Sequence, residues 1–301
     1  MSSKSFNRRQ FIDTMIAGTA ALSTRALAAT QFEVGGSPVI ALSDGHYIMP
    51  SDFFLGTPRA LRDQLGDPVK IAANTFAYRA GDRTFLFDAG AGLGDFITQN
   101  FPTASRLPAD LNAAGIVAEE VTDVVITHMH PDHVGGVEAE GKPAFPNAAV
   151  NIAETEWTFW NADGFATSGP EDMLPMIRSV QKTSRAVENN VVLHSGSADL
   201  GEGVSLLPAP GHTPGHTVIL LDSGNEQLMI IGDLAVHEDV HFTNPDYGWA
   251  LDVDRDAAVS SRKTLLDMIA TEELMIAAAH VTEPGLGHVE RDGDGYRFVP
   301  L

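Results

Sequence analysis

The chain has 301 residues, of which 44% are hydrophobic and 20% are charged, and it contains no cysteine. This length suits one large domain or two small ones with a real core, and the lack of cysteine excludes disulfides, cysteine-ligated metals and a thiol nucleophile. A net charge of −21 leaves few cations to neutralise phosphates, so we expect no nucleic-acid partner.

The first 28 residues have the features of an export signal. Two adjacent arginines at positions 8 and 9 precede a mildly apolar run, and small residues suited to cleavage end at Ala28. The pattern resembles a twin-arginine signal and predicts a periplasmic or secreted protein, with a packed amino-terminal helix as the alternative. Cleavage leaves residues 29–301 as one domain with 15 basic and 39 acidic residues, a net charge of −24 and no membrane span.

Short β-type runs alternate with helical patterns along the rest of the chain. Helices are predicted at residues 154–162, 170–188 and 254–270. Strands are predicted at residues 39–43, 75–79, 84–87, 124–127, 150–153, 191–194, 204–207, 217–221, 228–231 and 274–278. Strands in both halves with helices between them favour two sheets sandwiched between helices.

The segment after the first predicted strand is aromatic and apolar but rich in glycine and proline. It runs from Gly45 to Gly56 and includes Phe53 and Phe54. Such a segment is either a packed loop that covers the core, or a wall of a substrate pocket or a subunit contact. A subunit contact through this segment is the reason to expect a homodimer.

A dense group of metal-binding side chains directly follows the predicted strand at 124–127. Its sequence is His128-Met129-His130-Pro131-Asp132-His133. Imidazoles two residues apart on a sharp turn can meet one metal, while Asp132 and His133 point toward a second. Nitrogen and carboxylate ligands suit zinc first, then manganese, iron or cobalt. Gly135-Gly136 then lets the backbone turn tightly into a helix.

Three further candidate ligands lie at the ends of later predicted strands. His212 follows the strand at 204–207, Asp233 the strand at 228–231, and His280 the strand at 274–278. Loops at strand ends are where functional groups project from a sheet. His288 is the rival for the position of His280, but its setting among glycines and a proline predicts a loop. We therefore prefer His280.

These residues resemble, position by position, the binuclear metal ligands of the metallo-β-lactamase superfamily. The stretches 74–76 and 87–90 are also similar to the early strand and the Asp-x-Gly turn of that superfamily. The resemblance covers residues 39–301 and implies an α/β fold, an αββα sandwich of two mixed β-sheets flanked by helices. It also implies two divalent metal ions, with zinc as the first choice.

The resemblance further implies how the two metal ions are shared among the side chains. One would take His128, His130 and His212, the other would take Asp132, His133 and His280, and Asp233 would bridge them. Asp88 and His216 would hold ligands in orientation.

The implied chemistry is hydrolysis by a hydroxide that bridges the two metals. Asp132 and Asp233 are the catalytic candidates, with Asp132 passing a proton to the leaving group. Neither a Gly-x-Ser-x-Gly elbow nor a cysteine is present, so a protein nucleophile is not expected.

Within the superfamily, the chain is similar to the methyl parathion hydrolase-like and lactonase branch in the stretches 145–148, 156–160 and 280–300. That branch implies small neutral substrates, namely lactones, aryl esters or phosphotriesters. The candidate walls of an apolar pocket are Phe53, Phe54, Trp157, Trp160 and Phe165. The alternatives are a thioesterase or β-lactam hydrolase of the same fold, or a non-catalytic metal-binding protein.

Overall fold

The computed structural model describes residues 31–301, so the export signal predicted at residues 1–28 lies outside the described residues and stays a prediction. Two seven-stranded β-sheets form the centre of the described part. No helix within residues 31–301 is both long and apolar enough to cross a membrane.

The first half of the described chain forms the first sheet and most of the helices. Its strands are β1 (Gln31–Val34), β2 (Ser37–Met49), β3 (Phe54–Leu55), β4 (Val69–Ala80), β5 (Arg83–Phe87), β6 (Asp123–Val125), β7 (Glu138–Ala139), β8 (Lys142–Pro143), β9 (Ala149–Ala153) and β10 (Val191–His194). Its helices are α1 (Arg59–Leu65), α2 (Asp95–Asn100), α3 (Leu107–Ala113), α4 (Pro131–Val134), α5 (Glu154–Trp160), α6 (Phe165–Ser168) and α7 (Leu174–Val187).

The second half forms the second sheet and one long helix. Its strands are β11 (Ala198–Gly201), β12 (Val204–Pro208), β13 (Thr217–Asp222), β14 (Gln227–Ile230), β15 (Gly248–Trp249), β16 (Met275–Ala277), β17 (Leu286–Asp292) and β18 (Gly295–Pro300), and its helix is α8 (Arg255–Thr271). Asp254 caps α8 by accepting a hydrogen bond from the amide of Ala257.

Both sheets mix parallel and antiparallel pairs. The first has the order β1-β2-β4-β5-β6-β9-β10, with β5, β6, β9 and β10 parallel to their neighbours in that run. The second has the order β11-β12-β13-β14-β16-β17-β18, with β14 parallel to β16. Parallel neighbours bring the carboxyl ends of their strands to one edge, and loops that leave that edge can meet.

Three apolar layers hold the structure together. Phe76, Phe85 and Phe87 of the first sheet pack between the sheets with Leu206 and Ile219 of the second. The outer face of the first sheet packs against α3, α5 and α7, and that of the second sheet packs against α8. The predicted αββα sandwich of two mixed sheets is therefore confirmed.

All the predicted strands and helices are present, but the segment predicted as a loop from Gly45 is not a loop throughout. Residues 45–49 continue β2, because a bulge between Ser43 and Gly45 shifts the register and lets Tyr47 pair with Ile71 of β4. The expectation of a loop around His288 is also wrong, because His288 lies exposed on β17, paired with Met275.

Candidate metal centre

The candidate ligands converge from both sheets because each follows the carboxyl end of a strand. The group 128–133 follows β6 and enters α4 through Pro131. His212, Asp233 and His280 follow β12, β14 and β16 respectively. All seven candidate side chains therefore meet at one edge of the sandwich.

Three imidazoles form the first group. His130 Nδ1 lies 3.1 Å from His128 Nε2 and 2.9 Å from His212 Nε2, and the latter two nitrogens are 3.2 Å apart. All three rings are buried. A tetrahedral zinc ion with Zn–N bonds of about 2.05 Å holds its nitrogens about 3.3 Å apart, so this triangle has the size of a zinc site.

Asp132, His133 and His280 form the second group. Asp132 Oδ2 lies 3.6 Å from both His133 Nε2 and His280 Nε2, and these two imidazole nitrogens are 3.3 Å apart. These atoms are close enough together to share one ion. A mixed nitrogen and oxygen set of this kind suits zinc, manganese, iron or cobalt.

Asp233 lies between the two groups and turns one carboxylate oxygen to each. Its Oδ2 is 3.2 Å from His212 Nε2 and 3.9 Å from His128 Nε2. Its Oδ1 is 3.1 Å from His133 Nε2 and 3.0 Å from His280 Nε2. A carboxylate in this position can bridge two cations.

The hydrogen bonds on the far side of the rings fix which nitrogen faces inward. A carboxylate or a backbone carbonyl can only accept, so the Nδ1 atoms that face Asp88, Asp252 and the carbonyl of Ala72 must carry protons. The rings concerned are those of His133, His212 and His280. Their Nε2 atoms therefore face the centre and are the atoms that can offer lone pairs to a metal, which is the arrangement that metal-binding histidines need.

A buried polar atom supports the fit of a metal at this centre. Asp233 Oδ1 is buried and, among the described residues, has no hydrogen-bond partner. A buried carboxylate oxygen left unpaired costs free energy, and a cation between the groups would offset that cost. The residues present thus fit two divalent ions.

Burial and charge set the proton-binding properties of the centre. Burial lowers the pKa of His128 and His130 well below the usual range, so both rings are neutral. Burial alone would lower the pKa of His133 and His280, but the nearby carboxylates, Asp233 foremost, raise it instead. The same contacts hold the pKa of Asp233 well below its usual range despite burial. A metal at the second group would therefore displace protons.

Asp88 and His216 both contact candidate ligands, as a supporting group would. Asp88 Oδ2 is 2.7 Å from His133 Nδ1, and its Oδ1 accepts the amide of Thr127 at 2.8 Å. His216 donates from Nδ1 to the carbonyl of Ala209 and accepts the amide of Asp233 at Nε2, 3.1 Å away. Burial lowers the pKa of His216 to about 3, which keeps Nε2 an acceptor.

The sequence predicts that Gly135-Gly136 permits a tight turn into a helix, but the structure shows a different reason for the two glycines. Gly135 has ordinary helical backbone angles, so no tight turn requires glycine there. A Cβ on Gly136 would lie 1.9 Å from the carbonyl oxygen of Ala89, and one on Gly135 would lie 2.1 Å from that of Ala91. The pair is needed because the loop that carries Asp88 passes directly against it.

Two carboxylates of the centre were not predicted from the sequence. Asp252 accepts from His212 Nδ1 at 3.0 Å and from the amide of Trp249 at 2.9 Å. Glu156 is fully buried and accepts from the amides of Met129 and Gly215, and so ties the two ligand-bearing loops together. Neither had a signal in the sequence, because neither belongs to a ligand motif and their partners are distant in the chain.

A cavity of 280 Å³ opens onto the candidate ligands. Its polar lining includes His130, Asp132, Asp233 and His280. The rest of its lining is largely apolar, with side chains from Tyr47, Met49, Phe53, Ile71, Phe96, Ile97, Phe101, Pro131, Met173, Met176, Val236, Trp249 and Leu251. An apolar chamber next to a polar centre suits a small substrate whose reacting group is polar and whose remainder is apolar.

Of the five predicted pocket walls, Phe53 lines this cavity and the other four lie elsewhere. Phe54 is fully buried against Trp249. Trp160 is fully buried behind His130, with its indole N–H bonded to Glu156. Trp157 and Phe165 pack into the layer between the first sheet and its helices. Their apolar faces serve the core, as aromatic residues at helical spacing usually do.

Comparison with known proteins gives a family match and several relatives. The family model of the metallo-beta-lactamase superfamily matches residues 70–280. An N-acyl homoserine lactonase of Bacillus cereus is 26% identical over 184 residues, which is 60% of this chain. The matched region spans only 64% of that lactonase.

Two solved structures are similar over nearly the whole chain. One is AidC, a dizinc quorum-quenching lactonase in complex with a product, N-hexanoyl-L-homoserine, with 28% identity and a TM-score of 0.81. It covers 91% of this chain and 97% of its own. The other is the hydrolase AbOPH in the beta lactamase superfamily, with 27% identity, a TM-score of 0.82 and the same coverage.

Proposed function

The chain belongs to the metallo-beta-lactamase superfamily, and we propose that it is a binuclear metal-dependent hydrolase that opens neutral lactones with an apolar side chain. The observation that carries this proposal is Asp233, whose two oxygens face two separate groups of metal-binding side chains at the floor of an apolar cavity. A structural zinc site is ordinarily closed and mononuclear, whereas this centre opens onto a cavity.

Seven side chains would hold the metals in this proposal. They are His128, His130 and His212 for one ion, Asp132, His133 and His280 for the other, and Asp233 for both. Two divalent ions at this centre would acidify a water molecule and polarise the carbonyl of the substrate. Zinc is our first choice, because five of the seven ligands are imidazoles and the other two are carboxylates.

Asp132 is the proposed carrier of the proton. Its Oδ2 lies 3.6 Å from both His133 Nε2 and His280 Nε2, and the residue lines the cavity. Water adds to the acyl carbon, the ring C–O bond breaks, and Asp132 takes the proton of the water and gives it to the leaving oxygen. The product is the hydroxy acid, and Asp132 returns to its starting state.

The remaining walls favour a lactone with an apolar substituent over a charged ester. Met49, Phe53 and Met176 can bury an acyl chain, and the part of the lining that residues 31–301 supply contains no Lys or Arg that could pair with an anionic substrate. The lactonase activity named for AidC and for the Bacillus cereus relative supports the same class.

The test is a substrate panel on the full chain loaded with zinc, manganese or cobalt. The panel contains N-hexanoyl homoserine lactone, γ- and δ-lactones, p-nitrophenyl acetate, paraoxon, an acyl-thioester and nitrocefin. We expect about two ions per chain and a preference for lactones of at least about tenfold in kcat/KM.

Asp233→Asn should lower kcat/KM for the lactone at least about a hundredfold and reduce the bound metal. Asp246→Asn, a change at an exposed carboxylate paired with Lys263, is the control and should behave as wild type. Full turnover by Asp233→Asn, or a hundredfold preference for nitrocefin, would refute the proposal.

A further inference from the structure

Tyr47 carries a buried hydroxyl that the fold does not use. The residue is 4% exposed, lies near the end of β2 and lines the cavity above the candidate metal ligands. Among the described residues, no polar atom forms a hydrogen bond with its Oη. A phenol without a partner costs about 1–3 kcal/mol, so a phenylalanine at this position would be better for stability alone.

The backbone around Tyr47 holds the ring rigidly beside the centre. Tyr47 pairs with Ile71 of β4, and the next residue of β4, Ala72, accepts the Nδ1 proton of His280 at 2.8 Å. The Tyr47 ring packs edge-on against His280, with centroids 5.9 Å apart, and against Phe101 at 5.2 Å. The strand pair that orients one candidate ligand thus also positions the hydroxyl.

Few other groups in the cavity can donate a hydrogen bond to a substrate. Among the described residues that line it, the polar side chains are the candidate ligands His130, Asp132, Asp233 and His280, together with Tyr47 and Trp249. Trp249 packs against Phe53 and Phe54 rather than against a candidate ligand. Tyr47 lies within electrostatic reach of both Asp132 and Asp233.

We propose that the Tyr47 hydroxyl donates a hydrogen bond to the carbonyl oxygen of the bound substrate and is a catalytic residue of this centre. The inference rests on the proposed hydrolase function and assigns it a donor outside the metal ligands. Negative charge grows on that oxygen as water adds to the acyl carbon, so the hydrogen bond strengthens as the reaction proceeds. A donor fixed on a strand pair needs no reorganisation at that moment.

The test compares Tyr47→Phe with Tyr78→Phe in the full, zinc-loaded chain. Tyr78 is equally buried, at 4% exposure, but packs between the sheets and does not line the cavity. We expect Tyr47→Phe to lower kcat for the lactone about ten- to a hundredfold, with KM changed less than about threefold. Bound zinc should stay unchanged, and Tm should stay the same or rise, because an unpaired buried hydroxyl has been removed.

Two substrates with different leaving groups test whether the carbonyl oxygen is the acceptor of the hydrogen bond. The leaving group of N-hexanoyl homoserine lactone is an alkoxide, and that of p-nitrophenyl acetate is a stable phenolate. In both substrates, negative charge develops on the carbonyl oxygen. Tyr47→Phe should therefore slow both by a similar factor. A loss confined to the lactone would assign the bond to the leaving oxygen and overturn the proposal as stated.

Two further outcomes would also overturn it. One is wild-type kcat in Tyr47→Phe, and the other is a loss of kcat explained by a loss of zinc. If the wild-type chain hydrolyses no member of the panel, the proposed function fails, and calorimetry with N-hexanoyl homoserine lactam still tests Tyr47. Binding about three- to tenfold weaker in Tyr47→Phe supports the hydrogen bond, and an equal Kd or no binding by either chain refutes it.

Discussion

Three of the rings that face the centre, those of His133, His212 and His280, depend on a second residue that holds the other nitrogen. The most elaborate of these supports belongs to His212. Asp252 accepts the Nδ1 proton of His212, and its other oxygen lies 3.8 Å from the guanidinium of Arg262. Arg262 is itself buried and donates to the carbonyls of Leu234, Pro245 and Tyr247. A buried arginine thus fixes a carboxylate, which fixes an imidazole.

Replacing Asp252 by asparagine should weaken metal binding without unfolding the chain. The carboxylate accepts from both His212 and the amide of Trp249, whereas an asparagine side chain has one acceptor oxygen and an NH₂ group. One of the two donors would then face another donor. We expect the affinity for zinc to fall about ten- to a hundredfold, measured by competition with a chelator of known affinity.

Asp246→Asn is the matched control, because Asp246 lies nearby but is exposed and pairs only with Lys263 among the described residues. It should retain wild-type affinity. If Asp252→Asn bound zinc as tightly as this control, the orientation of His212 would not depend on Asp252.

At the scale of single residues, the sequence predicts the centre well where the ligands follow a local pattern. His128, His130, Asp132 and His133 share one short motif, and the structure brings all four together. Asp252 and Tyr47 could not be predicted, because their importance comes from contacts with His212 and His280, which are distant in the chain. Such contacts exist only after the sheets have packed.

At the scale of elements, the loop after β5 and the start of α4 form one unit. The amide of Ala89 donates to the carbonyl of His133 at 2.7 Å, and the amide of Gly136 donates to the carbonyl of Gly90 at 3.0 Å. These backbone bonds bring Asp88 to His133. The contact is possible only because Gly136 has no side chain.

Gly136→Ala should push the two segments apart and disturb the centre. Its Cβ would lie 1.9 Å from the carbonyl oxygen of Ala89, which belongs to rigid backbone rather than to a side chain that can rotate away. We expect a loss of about 3 kcal/mol in the free energy of unfolding and weaker zinc binding through Asp88. Denaturant titration and zinc competition measure the two effects.

The control for this variant is Gly94→Ala, in the same region. A Cβ there would meet only Ser179 Oγ at 3.7 Å, an ordinary contact, and the backbone angles of Gly94 suit alanine. Its stability should change by less than about 1 kcal/mol. Equal stability of the two variants would mean that the loop and α4 can separate without cost.

The end of β2 and the strands β17 and β18 were not predicted, and in each case the strand depends on its neighbours. β2 reads as a strand up to Ser43 and is then interrupted by Gly45, where a bulge rather than a turn preserves the pairing. β17 pairs with β16 on one side and with β18 on the other at the end of the second sheet, and its last three residues, Glu290, Arg291 and Asp292, are all charged and exposed. Their strand character depends on neighbours that a reading of local sequence does not include.

At the scale of the whole molecule, the candidate centre joins the two halves of the fold. His128, His130, Asp132 and His133 come from the segment between β6 of the first sheet and the end of α4, and the other three candidate ligands follow strands of the second sheet. Bound metals would therefore act as clamps between the halves, in a chain that has no cysteine for disulfides.

Removal of metal should consequently lower the stability of the entire domain. At a free zinc concentration a thousand times its Kd, each site adds about 4 kcal/mol to the free energy of unfolding. For a domain of this size, one such site corresponds to about 10 °C in Tm. We expect prolonged treatment with a chelator to lower Tm by at least that amount in a single cooperative transition, measured by calorimetry, and added zinc to restore it.

Stabilisation by bound metal should be weaker in acid, because protons compete with the metal for the histidines of the second group. The carboxylates around His133 and His280 raise the pKa of both rings, so in the metal-free chain these rings hold protons that zinc must displace. As pH falls through these raised values, competition by protons grows and the zinc-dependent gain in Tm shrinks. We expect a smaller zinc-dependent gain in Tm at pH 6 than at pH 8.

Magnesium, which prefers oxygen ligands, is the control and should give little gain in Tm at either pH. A gain that is equal for both metals, or that grows in acid, would show that the stabilisation does not come from these imidazoles.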